Sequence, residues 1–213
     1  MGDVNILINA GRVSQISGGG QKFSALPVTQ NIVRDVRITV NGGEFYGTSI
    51  IAAGGTDAVS VGHSVVTINS GNIAYVYASG SNGGFVNESV LNLNGGKITN
   101  LLGIVRGYLG NTTVNVNGSE IVNMFAGNDN DPSDDGIIKK AELNILSGSV
   151  DTLLKGFSHV IEDFVCAGTY AKGVIGNETA AVAACNLVCK EIVDGYGNNL
   201  NDIANAIVWE PIA

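Results

Sequence analysis

The chain has 213 residues, 11 Lys+Arg against 19 Asp+Glu and a formal charge of -8, so it carries no basic footprint for nucleic acid or for an anionic membrane face. Apolar residues reach 45% while charged residues stop at 14%, which is too apolar for a disordered chain. With 30 Gly against 3 Pro, the mix suits many short strands joined by tight positive-φ corners.

Met1-Gly2-Asp3-Val4-Asn5 shows no basic segment leading into an apolar run, so no export signal is expected, and Ile6 stands where a myristoylation start wants Ser or Thr. No apolar stretch approaches the length of a membrane span. The expectation is a protein that is cytoplasmic as made, without membrane insertion.

One pattern then recurs six times: apolar, any, apolar, usually Asn, any, usually Gly, any, apolar, with a further apolar residue three places on. The copies run Ile6 to Val13, Ile38 to Phe45, Val66 to Ile73, Leu91 to Ile98, Val114 to Ile121 and Leu143 to Val150. The trailing apolar residues are Ile16, Val76, Leu101, Met124 and Leu153; the second copy reaches its own only at Ile50. Copies begin about 23 to 32 residues apart, the range of solenoid coils. Alternation before the Asn predicts a half-buried strand, Asn-x-Gly predicts a corner, and a second short strand follows. Loops of varying length, such as Gly54 to Asp57 and Gly127 to Pro132, fit a solenoid, where insertions bulge outward.

Stacking such coils about 4.8 Å apart puts Ile8, Val40, Ile68, Leu93, Val116 and Ile145 in one inner column. Val13, Phe45, Ile73, Ile98, Ile121 and Val150 form a second. Asn9, Asn41, Asn69, Asn94 and Asn117 form a ladder, which Leu146 interrupts as if the solenoid were ending. Outside the corner the column reads Arg12, Glu44, Asn72, Lys97, Glu120, Ser149, with no like charges adjacent. The fold expected is all-β: a right-handed parallel β-helix of about six coils over residues 1–153, with a non-repeat C-terminal cap or oligomerisation segment over 154–213. Within that segment Gly156 to Tyr170 has room for one degenerate coil, Thr179 to Val193 fits a short helix or further strand, and Ile203 to Ile212 holds Trp209.

Little in the sequence points to chemistry. Glu44 and Glu120 share a column but lie three coils apart, about 14 Å at the strand spacing, too wide for a glycosidase pair. Glu142, Asp151 and Asp163 are the other carboxylate group. Asp129 to Gly136 offers oxygen ligands for Ca²⁺ without an EF-hand's Gly and Glu spacing, and reads as a solvated loop. His63 and His159 show no Ser, Cys or Asp constellation nearby, and Gly18-Gly19-Gly20 lacks the Lys of a phosphate loop. Cys166, Cys185 and Cys189 read as buried free thiols, with one Cys185–Cys189 or Cys166-linked bridge as the alternative, and offer no zinc partner pair. Tyr75, Tyr77 and Tyr108 offer an aromatic patch for sugar stacking, although Tyr75 and Tyr77 share a strand face that equally well meets the core. No catalytic residue, metal ligand or cofactor is nominated.

Gly- and Asn-rich coils such as Leu91-Asn92-Leu93-Asn94-Gly95-Gly96-Lys97-Ile98 resemble the parallel β-helix repeats of bacteriophage fibres, tailspikes and bacterial surface adhesins. The resemblance covers residues 4 to 153. It implies a non-enzymatic structural protein of a virion, a homotrimeric fibre or capsid-decorating component that meets other virion proteins and contacts a host surface. The adhesin branch implies instead a secreted or surface-bound module that binds cell-surface glycan. Tailspikes that cleave glycans carry carboxylate sets with no match here.

Overall fold

The computed structural model describes residues 2–20, 32–55, 59–80, 84–102, 107–125, 137–154, 165–171 and 209–212. The first four repeat copies each supply two strands: β1 (Gly2–Ile8) and β2 (Arg12–Ser17), β3 (Ile32–Val40) and β4 (Glu44–Ala52), β5 (Ser60–Ile68) and β6 (Asn72–Tyr77), β7 (Gly84–Leu93) and β8 (Lys97–Leu102). The last two copies run unbroken through the corner as β9 (Gly107–Phe125) and β10 (Ile137–Leu154), followed by β11 (Val165–Ala171) and β12 (Trp209–Ile212). Every pairing is parallel. Odd strands pair as β1-β3-β5-β7-β9 and even strands as β9-β8-β6-β4-β2, so two faces meet at the Asn corner. This is an all-β parallel solenoid, without helix among the described residues.

The register reproduces the first expected column residue by residue and the second on either side of a break between Phe45 and Ile73. Ile8 pairs with Val40, Val40 with Ile68, Ile68 with Leu93, Leu93 with Val116 and Val116 with Ile145. On the second face Ile73, Ile98, Ile121 and Val150 are in line. Ile16, Ile51, Val76, Leu101 and Met124 form the next inner column. Most of these side chains are fully buried in one continuous core, and burying each contributes about 1.5–3 kcal/mol. No coil could reach that alone, because its apolar edge meets carbon only in the coil above and below.

The corner is fixed by backbone and side chain together. Asn69 N–H donates to the Val40 carbonyl and Asn94 N–H to that of Ile68, each at 2.8 Å. Gly96 has φ +82, and a Cβ there would lie 2.6 Å from the Gly71 carbonyl oxygen. The chain turns left-handed at a point where two backbones approach closely, and only Gly satisfies both demands.

Two expectations need correction. In the second copy the inward residue is Ile51, not Ile50, because three extra residues sit between the Val13–Phe45 and Gln15–Ile50 pairs. The insertion is repaired from within: the Ala74 N–H, short of a ladder carbonyl, donates to Oγ of buried Ser49 at 2.9 Å. Second, Leu146 does not end the stack. It is an extra residue, 42% exposed, bulged from β10 where Ser147 takes the place opposite Asn117. Pairing with β9 resumes to Leu154, and β11 continues the first face beside Lys140 to Ile145.

Candidate functional site

The outward face of the first sheet carries a column of polar and charged groups. Register places Asp35 of β3 beside His63 of β5, His63 beside Glu88 of β7, Glu88 beside Asn111 of β9 and Asn111 beside Lys140 of β10. His63 Nδ1 is 3.2 Å from Asp35 Oδ1, and its Nε2 is 3.4 Å from Glu88 Oε2. Arg34 donates to Asp3 of β1 and, through Nε at 2.8 Å, to Asp35 Oδ2. The bond from Arg34 holds the Asp35 carboxyl below the usual carboxylate range, with His63 adding to it, and both carboxylates raise the Arg34 guanidinium.

Beside this column lies a groove of about 380 Å³ across β1, β3 and β5. Asp3, Asp35 and His63 form one bank, Asn5, Arg37 and Val65 the other, with Val4 and Val36 also lining it. The two banks are neighbouring outward columns, for Asn5 pairs with Arg37 and Arg37 with Val65. Arg34 is held by two carboxylates, whereas Arg37 makes no ion pair among the described residues. The groove therefore offers the Arg37 guanidinium and the Asn5 amide to a polar ligand, over an apolar floor, while both ring nitrogens of His63 face carboxylates. Among the described residues none that lines the groove carries a hydroxyl, and Ser64 faces the core and donates to the Glu88 carbonyl at 3.4 Å.

The His63 setting corrects the expectation that no acid accompanies it. Asp35 and Glu88 are 28 and 25 residues away in sequence and arrive only through the stacking of coils. The signal was present in the repeats, since both carboxylates precede the first apolar residue of their copies by a fixed three places.

Other nominated residues are dispersed. Glu44 pairs with Arg12 at 3.1 Å, and the Arg12 guanidinium also lies 4.8 Å from the centre of the Tyr46 ring. Lys97 is in register with Glu120. Glu142 sits 3.8 Å from Lys140 on the first sheet and accepts from Asn144, while exposed Asp151 lies beyond the corner on the second, so the two do not converge. Tyr75 and Tyr77 stack with ring centres 6.1 Å apart on the outer side of the second sheet. Tyr77, however, is only 8% exposed, clustered with Ala52 and Leu102. Tyr108 is on the first sheet beside Phe85, so the three tyrosines form no common patch. Asp129 to Gly136, His159, Asp163, Cys185 and Cys189 lie outside the described residues; Cys166 is in register with Ala141. Among the described residues no group of three or more His, Cys, Asp or Glu is placed to hold a metal ion.

The Asn ladder is built as expected. Asn41 Nδ2 donates to Asn9 Oδ1 at 2.9 Å, Asn69 to Asn41 at 2.7 Å, Asn94 to Asn69 at 2.9 Å and Asn117 to Asn94 at 3.2 Å. Two further ladders went unnoticed in the sequence. Asn144 donates to Asn115 at 3.1 Å and Asn115 to Asn92 at 3.0 Å, while Asn123 donates to Asn100 at 3.1 Å. Each occupies a constant offset within its copy, which is the mark that would have revealed it.

Comparison with protein-family models, with curated proteins and with solved structures finds no match for this chain. What can be stated of its class is the architecture itself, a parallel β-solenoid.

Proposed function

We propose that this protein is a structural component of a virion, a homotrimeric fibre or capsid-decorating solenoid that joins other virion proteins and contacts a host surface. The observation carrying this reading is the continuity of side-chain ladders on the outside of a continuous apolar core. The Asn9-to-Asn117 run ties coil to coil over five successive copies. A stack held by matched columns inside and amide ladders outside is suited to transmit load and present surface. Consistent with a structural role, the outward carboxylates Asp3, Asp35 and Glu44 are engaged by arginines. Light scattering of the full-length protein tests the proposal: a stable trimer is expected, and a monomer at all concentrations counts against the fibre.

The groove beside His63 favours a second reading, a glycan-binding solenoid of the adhesin kind. Its mixed polar banks and apolar floor suit a saccharide of one or two units. A glycan array probed with the intact chain and with Arg37→Ala separates the readings. Binding lost on substitution, with folding intact, supports recognition at the groove; no binding by either protein leaves the structural role alone.

A further inference from the structure

Three rungs of the corner ladder carry Asn followed by Gly: Asn41-Gly42, Asn94-Gly95 and Asn117-Gly118. This dipeptide is the most prone of all to cyclise, because Gly leaves its amide nitrogen unhindered. The preceding residue is apolar in each case, Val40, Leu93 and Val116, so local sequence treats the three alike. The structure does not. The Asn41 amide donates to Asn9 and accepts from Asn69; that of Asn94 donates to Asn69 and accepts from Asn117. Asn94 is guarded further, since the Gly95 N–H that would attack donates to the Ile68 carbonyl at 3.2 Å.

Asn117 is held from one side only. It donates to Asn94 at 3.2 Å, the longest of the four ladder bonds. Where the next rung should return a donor to its Oδ1, β10 bulges, Leu146 turns out to solvent and Ser147 stands opposite. From this asymmetry we infer that Asn117 is the ladder's site of spontaneous deamidation, a modification that starts at the Leu146 bulge.

The chemistry needs only water. The Gly118 backbone nitrogen loses its proton to solvent and bonds to Asn117 Cγ. The Cγ–Nδ2 bond breaks, and Nδ2 leaves as ammonia with a proton taken back from solvent. Water then opens the cyclic imide at either carbonyl to give aspartate or isoaspartate. No oxidation or reduction occurs. To reach the attacking geometry the side chain must swing out of the ladder, breaking one amide bond at Asn117 but two at Asn41 or Asn94. One net hydrogen bond sets a factor of about five between these populations. The product carboxylate has no donor to return to Asn94 Oδ1, so the modified rung cannot close again.

The test is peptide mapping by mass spectrometry of the full-length protein held at mildly alkaline pH, in native buffer and in urea. Conversion at Asn117 is expected to run about five-fold or more ahead of Asn41 and Asn94 in the folded chain, and the three rates to converge in urea. The inference is overturned if Asn41 or Asn94 keeps pace in the folded protein, or if the order persists after unfolding. A second arm uses Ser147→Asn, which sets an amide at the place opposite Asn117. Where that variant folds, slowing of Asn117 toward the Asn94 rate supports the missing rung partner as the cause, and an unchanged rate refutes it. Where it does not fold, the native-against-urea comparison decides.

Discussion

The Asn corner and the His63 column stand on the same strands a few residues apart, and they are made in different ways. At the corner each coil repeats one residue, so Asn41, Asn69, Asn94 and Asn117 bond to copies of themselves. In the column each coil contributes something different: Asp35, then His63, Glu88, Asn111 and Lys140. Repetition serves stacking, because identical groups satisfy one another at a fixed spacing. Departure from repetition, on an outward position that stacking leaves free, is where a coil acquires individual chemistry.

The sharpest way to strain that comparison is at the corner itself. Gly96→Val forces a branched side chain into a left-handed turn and against the Gly71 carbonyl. The expected loss is about 3 kcal/mol in urea unfolding, combining the backbone and overpacking terms. Gly47 provides the control: it has φ +63 but nothing within 4 Å of an added Cβ. Gly47→Ala should lose only the backbone part, about 1 kcal/mol. Equal losses would mean that close stacking does not constrain the corner.

The ladder should respond by position. Asn69→Ala removes two amide bonds and leaves Asn41 Oδ1 and Asn94 Nδ2 to solvent, for about 1–2 kcal/mol. Asn117→Ala removes one and should cost about half as much. Urea midpoints of the two variants measure the ratio, and equal losses would show that the side-chain bonds are not what the substitution removes.

How much could be read in advance follows the same division. The columns through Ile68 and Ile98, the Asn ladder and the Arg12–Glu44 pair all come from aligning copies, since in a solenoid alignment is contact. The exchange of Ile50 for Ile51 was not legible, because where three inserted residues bulge depends on which apolar side chain fills the coil and on Ser49 answering the Ala74 N–H. The His63 column was hidden for a different reason. Its members lie upstream of the strong pattern, and a search for like residues passes over Asp, His and Glu in register. Tyr77 shows the limit of alternation: it alternates outward from Val76, yet packs with Ala52 and Leu102 in a second cluster.

The smallest effect belongs to the column and is read through pH. Asp35 is exposed and bonded to Arg34 and His63, and its carboxyl titrates below the ordinary carboxylate range in the folded protein. Folding therefore favours its charged form, giving a contribution present above the unfolded carboxyl's pKa and lost as pH falls through the folded one. Asp35→Asn lacks that contribution at every pH. At neutral pH the variant should melt slightly below the wild type, by no more than a surface ion pair allows, and the two melting curves should draw together in acid. A gap that persists in acid would mean that Asp35 acts through packing or hydrogen bonding shared by Asn, and the column would then belong to the stacking machinery like the corner beside it. A gap that closes keeps the two apart, with the column a charge arrangement laid over a scaffold that stands without it.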